Sequence, residues 1–301
     1  MRPATVAALL FAALCIGAPA SALDHTLVVG GGSIHVEVRG GSRDDTLVLR
    51  WVEDSARAVA GYFGRFPVPA VNLVVRMQAG REVGGGTTYG GPSPTIQVSV
   101  GTSADRTVLR EDWILTHEMS HLALPDLSTG DSWAEEGLAT YVEPLARAKV
   151  GTLSVDEVWS GLWEGLPKGM PGPRDRGLHG TEDWGRTYWG GALFWFMADV
   201  EIHERSHGRL GLRDALRGIL DGGGDIRAHW PLAKALLQGD RAVGLTVLTD
   251  LYARLGAAPG RVDLTQLWRR LGVRRLGNRM AYDDRAPIAA IRRDIAAPPA
   301  R

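Results

Sequence analysis

The spacing of apolar and polar positions divides the chain into a strand-rich first third and a helical remainder. "HTLVVGGGSIHVEVRGG" (25–41) alternates apolar and polar residues on either side of a glycine turn, the pattern of a β-hairpin. "DDTLVLRWVEDSARAVAGYFG" (44–64) repeats apolar residues at helical spacing and closes on glycine, which predicts a helix. "VNLVVRM" (71–77) reads as a buried strand. "TIQVSVG" (95–101) alternates strictly and reads as a half-exposed strand suited to a sheet edge. Between these two, "GGGTTYGGPSP" (84–94) has neither the lysine nor the strand–helix setting of a phosphate loop, so it reads as a flexible turn.

From Asp105 the period changes. "DRTVLREDWILTHEMSHLALP" (105–125) predicts one amphipathic helix stopped near Pro125, and "SWAEEGLATYVEPLARAKVG" (132–151) a second. A Gly/Pro-rich loop follows over 165–180, and from Trp184 onward the pattern is mostly helical. No internal repeat is visible. The predicted class is α+β, with a small mixed sheet and a helix-borne site packed against a helical second half. The expected parts are a leader at 1–22, an α+β part at 23–104, site helices at 105–175 and a helical part at 176–301.

The leader is read from "MRPATVAALLFAALCIGAPASALDHT". Arg2 precedes an apolar run from Ala4 to Ala18, followed by Pro19 and the small triplet Ala20-Ser21-Ala22. This is the layout of a secretory signal peptide cleaved after Ala22, which predicts an exported chain, periplasmic or secreted, with no stable membrane insertion afterwards. The run is short for a spanning helix, so an uncleaved anchor is the weaker alternative. Cys15 is the only cysteine, and Leu14 before it argues against lipidation. Without the leader the chain has no thiol, which excludes disulfides and cysteine-ligated metals.

Over 301 residues, 45% hydrophobic and 23% charged, the formal net charge is zero. That balance removes the electrostatic argument for a nucleic-acid or acidic-membrane partner. The basic stretch "RRLGVRRLGNR" (269–279) reads as a solvated helix face and its turn.

The candidate chemistry lies in "HEMSH" (117–121), a pattern spelled again as "HERSH" (203–207). Histidines four apart on a helix share a face, so both imidazoles can reach one metal ion while the glutamate between them addresses a water. By composition such a pattern arises by chance roughly 0.01 times in a chain like this one. A tetrahedral zinc site also needs a third protein ligand. After His121 comes "WAEEGLATYVE", which offers Glu135, Glu136 and Glu143. After His207 there is no glutamate at all, Asp221 being the nearest conceivable substitute, and Gly208 interrupts the helix. The first pattern is therefore the site, and His203 and His207 read as surface residues at the polar end of a core helix.

Here the chain resembles the gluzincin metallopeptidases of the aminopeptidase and glycyl-aminopeptidase type. The resemblance is carried by "HEMSH", by "WAEEGLATYVE" with fourteen residues between His121 and Glu136, and by "YWGGALFWFMADVEIHERSH", together covering about 108–220. It implies a zincin-like, thermolysin-like catalytic domain and one Zn2+ per chain held by His117, His121 and Glu136. It also implies Glu118 as general base, Tyr188 as the oxyanion donor, and a peptide or protein substrate. Spacing alone does not choose between Glu135 and Glu136. Tyr188 stands among Trp184, Trp189 and Trp195, so a core aromatic is its competing reading. Glu143 is either a carboxylate that orients a ligand histidine or a solvated helix residue. The family's Gly-x-Met-Glu-Asn element, whose glutamate holds the substrate amine, has no counterpart in 84–100, which contains no glutamate. A catalytically silent relative binding a peptide or cell-envelope partner is the alternative of a different class.

Overall fold

The computed structural model describes residues 23–40 and 45–297; the leader read at 1–22 lies outside them. Strands β1 (Leu23–Val29) and β2 (Gly32–Arg39) form the expected hairpin, in register from Leu23 opposite Val38 to Val29 opposite Gly32. Its turn residues Gly30 and Gly31 have φ of 55° and 84°, a region that strains any residue with a side chain. Helix α1 (Asp45–Phe63) then connects β2 to its parallel neighbour β3 (Ala70–Gln78). Its Val48, Val52, Ala56 and Val59 share one core with Ile34, Leu73 and Ile96 of the sheet.

The sheet order is β1-β2-β3-β5-β4, and this corrects two expectations. The segment read as a flexible turn contains β4 (Val83–Tyr89), an edge strand antiparallel to β5 (Thr95–Gly101). Glycines 84–86 depress strand propensity, but pairing with β5 supplies the ladder that the local sequence does not predict. β5 is therefore interior, parallel to β3 on its other side. Its alternation is real, with Ile96, Val98 and Val100 fully buried.

The single helix expected over 105–125 is two helices. α2 (Arg106–Glu111) starts on the Asp105 carboxylate, which accepts from the N–H groups of Thr107 and Val108. α3 (Ile114–His121) starts afresh because Asp112 interrupts it. The Asp112 carboxylate accepts from the N–H groups of Ile114 and Leu115 and from the Trp51 indole, at 3.0–3.1 Å. Burial holds the Asp112 carboxyl above the usual aspartate range even against these bonds. A buried cap of this kind breaks a helix that apolar spacing alone would continue.

α4 (Ser132–Lys149) matches its expected span, and α5 (Val155–Gly165) follows on a Ser154–Glu157 capping box. A π-helical turn, Arg186–Gly190, leads into α6 (Gly191–Arg205). The second half continues with α7 (Leu212–Asp221), α8 (Leu232–Val243), α9 (Val247–Leu251), α10 (Leu264–Leu271) and α11 (Ala289–Ile295). The basic stretch is only partly a helix face: Gly272, at φ 71°, ends α10, and Arg274 and Arg275 lie on β6 (Val273–Leu276). β6 turns through Gly277 and Asn278 into β7 (Arg279–Tyr282), a glycine-led two-residue hairpin. No helix among the described residues is long and apolar enough to cross a membrane.

The sheet and the helical half meet through α4, which crosses α6 without intervening side chains. A Cβ added to Gly137 would lie 2.3 Å from the Gly191 backbone, and one added to Gly191 would lie 2.0 Å from the Trp133 carbonyl oxygen. The Trp195 indole donates to the Ala134 carbonyl at 2.8 Å and locks the crossing. Gly137→Ala is expected to lower stability by about 3 kcal/mol through overpacking, read from denaturant unfolding. A loss of less than about 1 kcal/mol would mean that the crossing yields.

Candidate metal centre

Asp112 fixes where α3 begins, so it also fixes which face α3 presents. His117 and His121 fall one turn apart on that face, with ring centroids 5.0 Å apart and planes at 82°. α4 brings the third group: Glu136 Oε2 lies 3.2 Å from His117 Nε2 and 3.7 Å from His121 Nε2. Among the described residues this trio forms a potential metal site, with its ligand atoms all within 4.8 Å of one another. Ligands at 2.0–2.2 Å from a tetrahedral zinc stand about 3.3–3.6 Å from each other. The two distances to Glu136 bracket or approach that range, and a nitrogen–nitrogen–oxygen donor set suits zinc.

The protonation states agree with ligation. Burial, with the His117 charge beside it, depresses the His121 pKa to about 4, so its imidazole is neutral with a lone pair to give. Burial works to raise the Glu136 carboxyl, but its hydrogen bond to His117 and the neighbouring imidazoles outweigh it and hold the group below its ordinary value. The chemistry of the donors and their spacing therefore fit a resident zinc ion.

The structure separates the three candidate glutamates. Glu136 faces the histidines. Glu135, also at the cleft, instead accepts the Leu127 N–H at 3.0 Å and so tethers the loop between α3 and α4. Burial pushes its carboxyl up to about 7. Glu143 is buried rather than solvated, and its carboxylate pairs with Arg147 at 2.9 Å. Arg147 also donates to the Glu111 carbonyl, binding α4 to the end of α2.

Glu118 and Tyr188 are both at the site. Thr88 of β4 donates its hydroxyl to Glu118 Oε2 at 2.7 Å. Burial raises the Glu118 carboxyl, with the Thr88 bond opposing. Gly86 makes this approach feasible, since a Cβ there would lie 2.5 Å from Glu118 Cγ. Tyr188, on the π-helical turn, is half-buried rather than a core aromatic; it stacks on His117 at 6.3 Å, with its hydroxyl near the Glu136 carboxylate. Burial and the Glu136 charge push its pKa up to about 12, so the phenol stays protonated. A cleft of about 530 Å³ opens above these groups, between β4, α3 and Ile226. Thr88 and Gly86 escaped the sequence reading because 84–94 was taken as a turn; the β-prone triplet Thr87-Thr88-Tyr89 was the available signal.

The second motif is not a paired site. α6 ends at Arg205, and His207 adopts φ 55°, so the two histidines share no helix face. His203 is buried, contrary to the surface reading, with its Nδ1 2.8 Å from the Asp199 carbonyl and 3.1 Å from Asp199 Oδ1. Asp199 in turn accepts from Tyr141 and the Leu212 N–H, each at 2.8 Å. Asp221 pairs with Arg65 instead.

No protein-family model and no curated protein matches the chain. Among solved structures, its fold is similar to the aminopeptidase N family protein of Idiomarina loihiensis, with TM-score 0.58 and 12% identity over 84% of this chain and 49% of that one. A mutant of a two-domain M1 zinc metallopeptidase bound to L-arginine gives 0.50 and 16% over 80% and 52%. An M1 zinc metallopeptidase from Deinococcus radiodurans gives 0.49 and 17% over the same shares, 80% and 52%. The chain spans about half the length of these proteins, and the likeness is one of fold.

His117→Ala is expected to abolish zinc retention while His203→Ala leaves it intact, read by metal analysis after dialysis. Equal zinc in both variants would remove the metal from this site.

Proposed function

We propose that this chain is an exported zinc-dependent peptidase of the gluzincin type, acting on peptide or protein substrates with one zinc ion per chain. The observation that carries the reading is the convergence of His117, His121 and Glu136 beside a buried Glu118, at the floor of an open cleft. The fold similarity to aminopeptidase N family and M1 metallopeptidase structures supports it, and the signal-like leader supports export.

Bound zinc would act as a Lewis acid and make water a competent nucleophile near neutral pH. The chain's own residues supply the remainder. Glu118 accepts a proton from the attacking water at its carboxylate and delivers it to the leaving nitrogen as the amide C–N bond breaks. Thr88 fixes one oxygen of that carboxylate, so the base is oriented before substrate arrives. The protonated Tyr188 hydroxyl donates to the oxygen that gains charge as the carbonyl becomes tetrahedral. Substrate backbone pairs along β4, the edge strand bordering the cleft, because β5 is interior and its edges are taken by β3 and β4. A peptide-binding module without activity leaves Glu118 unexplained, because holding a peptide requires no buried base.

Glu118→Gln should retain about one zinc per chain while peptide hydrolysis falls at least about a thousandfold. Undiminished hydrolysis would end the proposal. The raised Glu118 pKa places the acid limb of kcat/KM above the ordinary glutamate value of about 4.3, since the base is lost as pH falls through it. Thr88→Val removes a bond that lowers this pKa, so the acid limb should move to higher pH. An unmoved limb would assign it to another group.

A further inference from the structure

Ten tryptophans occur in the chain, and eight of them are buried or half-buried. The two exceptions, Trp113 at 51% exposure and Trp184 at 62%, both lie beside the metal centre. They end a continuous run of rings across it. Trp113 meets His117 edge-on at 5.5 Å, His117 stacks with Tyr188 at 6.3 Å, and Tyr188 stacks with Trp184 at 5.3 Å. These spacings are those of favourable aromatic pairs. Yet the outer rings expose apolar surface that the other tryptophans cover; Trp189, for example, packs against Gly165.

Both exposed rings stand on fixed backbone. Trp113 sits between Asp112 and the first turn of α3, which that carboxylate caps. Trp184 follows Asp183, which accepts the N–H groups of Arg186 and Thr187, each at 2.8 Å. Neither indole N–H has a partner among the described residues. The cleft, which Trp113 and Tyr188 line, is also lined by Asp126, Glu118, Glu135 and Glu136 but by no lysine or arginine, so an acidic side chain is repelled; Trp184 reaches it through its stacking on Tyr188. A neutral flat ring extends the series already present.

Building on the peptidase reading, we infer that Trp113, in the cleft wall, and Trp184, stacked on Tyr188 at its margin, form a subsite that selects substrates with an aromatic side chain next to the scissile bond. The occupant is the substrate itself, because the rings are continuous with the residues that hold the metal and the oxyanion donor. Covering them with a substrate ring removes apolar surface from water only when peptide is bound, which makes them specificity residues rather than supports of the fold.

The test uses peptide pairs that differ only by Phe or Ala at the positions flanking the cleaved bond. The parent should prefer Phe by about tenfold or more in kcat/KM, and Trp113→Ala/Trp184→Ala should reduce the preference to about twofold, mainly through KM. Zinc content and melting temperature should not change. Trp184→Phe should restore part of the preference. A second arm titrates the zinc-loaded Glu118→Gln protein with the Phe peptide by calorimetry, where the two tryptophan substitutions should weaken Kd about tenfold. Equal losses on Phe and Ala peptides, a preference for arginine, or a dimer that dissolves on substitution would each overturn the inference. A parent with no chelator-sensitive hydrolysis would instead defeat the peptidase reading, and the titration would still decide whether the rings bind an aromatic side chain.

Discussion

Gly137 of α4 and Gly191 of α6 meet backbone to backbone, and the arrangement of the metal centre follows from that crossing. Glu136 directly precedes the first glycine, and Tyr188 lies three residues before the second. A side chain between the helices would separate them by several ångströms and carry the carboxylate and the phenol apart. Buried contacts reinforce the geometry on either side, from the Trp195 indole on Ala134 to the Tyr141–Asp199 bond between the same two helices. A ligand set drawn from α3 and α4 thus depends on how closely α4 can approach a helix that supplies no ligand.

The sequence disclosed the site's donors more readily than their supports. His117, Glu118 and His121 follow a local helical period, and their spacing constrains them before any tertiary contact exists. Glu136 needed family resemblance to separate it from Glu135. In the structure the two have different partners, Glu136 the imidazoles and Glu135 the Leu127 N–H. Thr88 and Gly86 were not legible as site residues because each acts on Glu118, thirty and thirty-two positions away, and Asp112 because its local cap of α3 is joined by a bond from Trp51, sixty-one positions away. The error over 84–94 has the same origin. Glycines weaken the local preference for a strand, and only the adjacent β5 determines the outcome. Within 105–125 the apolar period was right but the capping aspartate interrupted it.

The two copies of the same five-residue pattern differ through their surroundings. Around His117 and His121 the helix is intact, burial keeps the His121 imidazole neutral, and a carboxylate arrives from another helix. Around His203 the carboxylate comes from one turn earlier on the same helix. Asp199 binds that imidazole, Tyr141 and the start of α7 together. Burial works to lower the His203 pKa, but the Asp199 bonds outweigh it and raise the group, so His203 is held to Asp199, which in turn caps α7. A histidine pattern becomes a metal site only where the fold leaves its nitrogens unclaimed.

The glycine-rich edge strand has a further consequence, which concerns release rather than capture. β4 carries three successive glycines and a register shift between Val83 and Gly86, so an extended chain laid along it gains main-chain hydrogen bonds but little lateral grip. On the peptidase reading, such a border would hold many sequences weakly and briefly. The same poverty of side chains makes it a bad template for a neighbouring molecule's strand, so the molecule can keep an open sheet margin in solution with less danger of fibril growth.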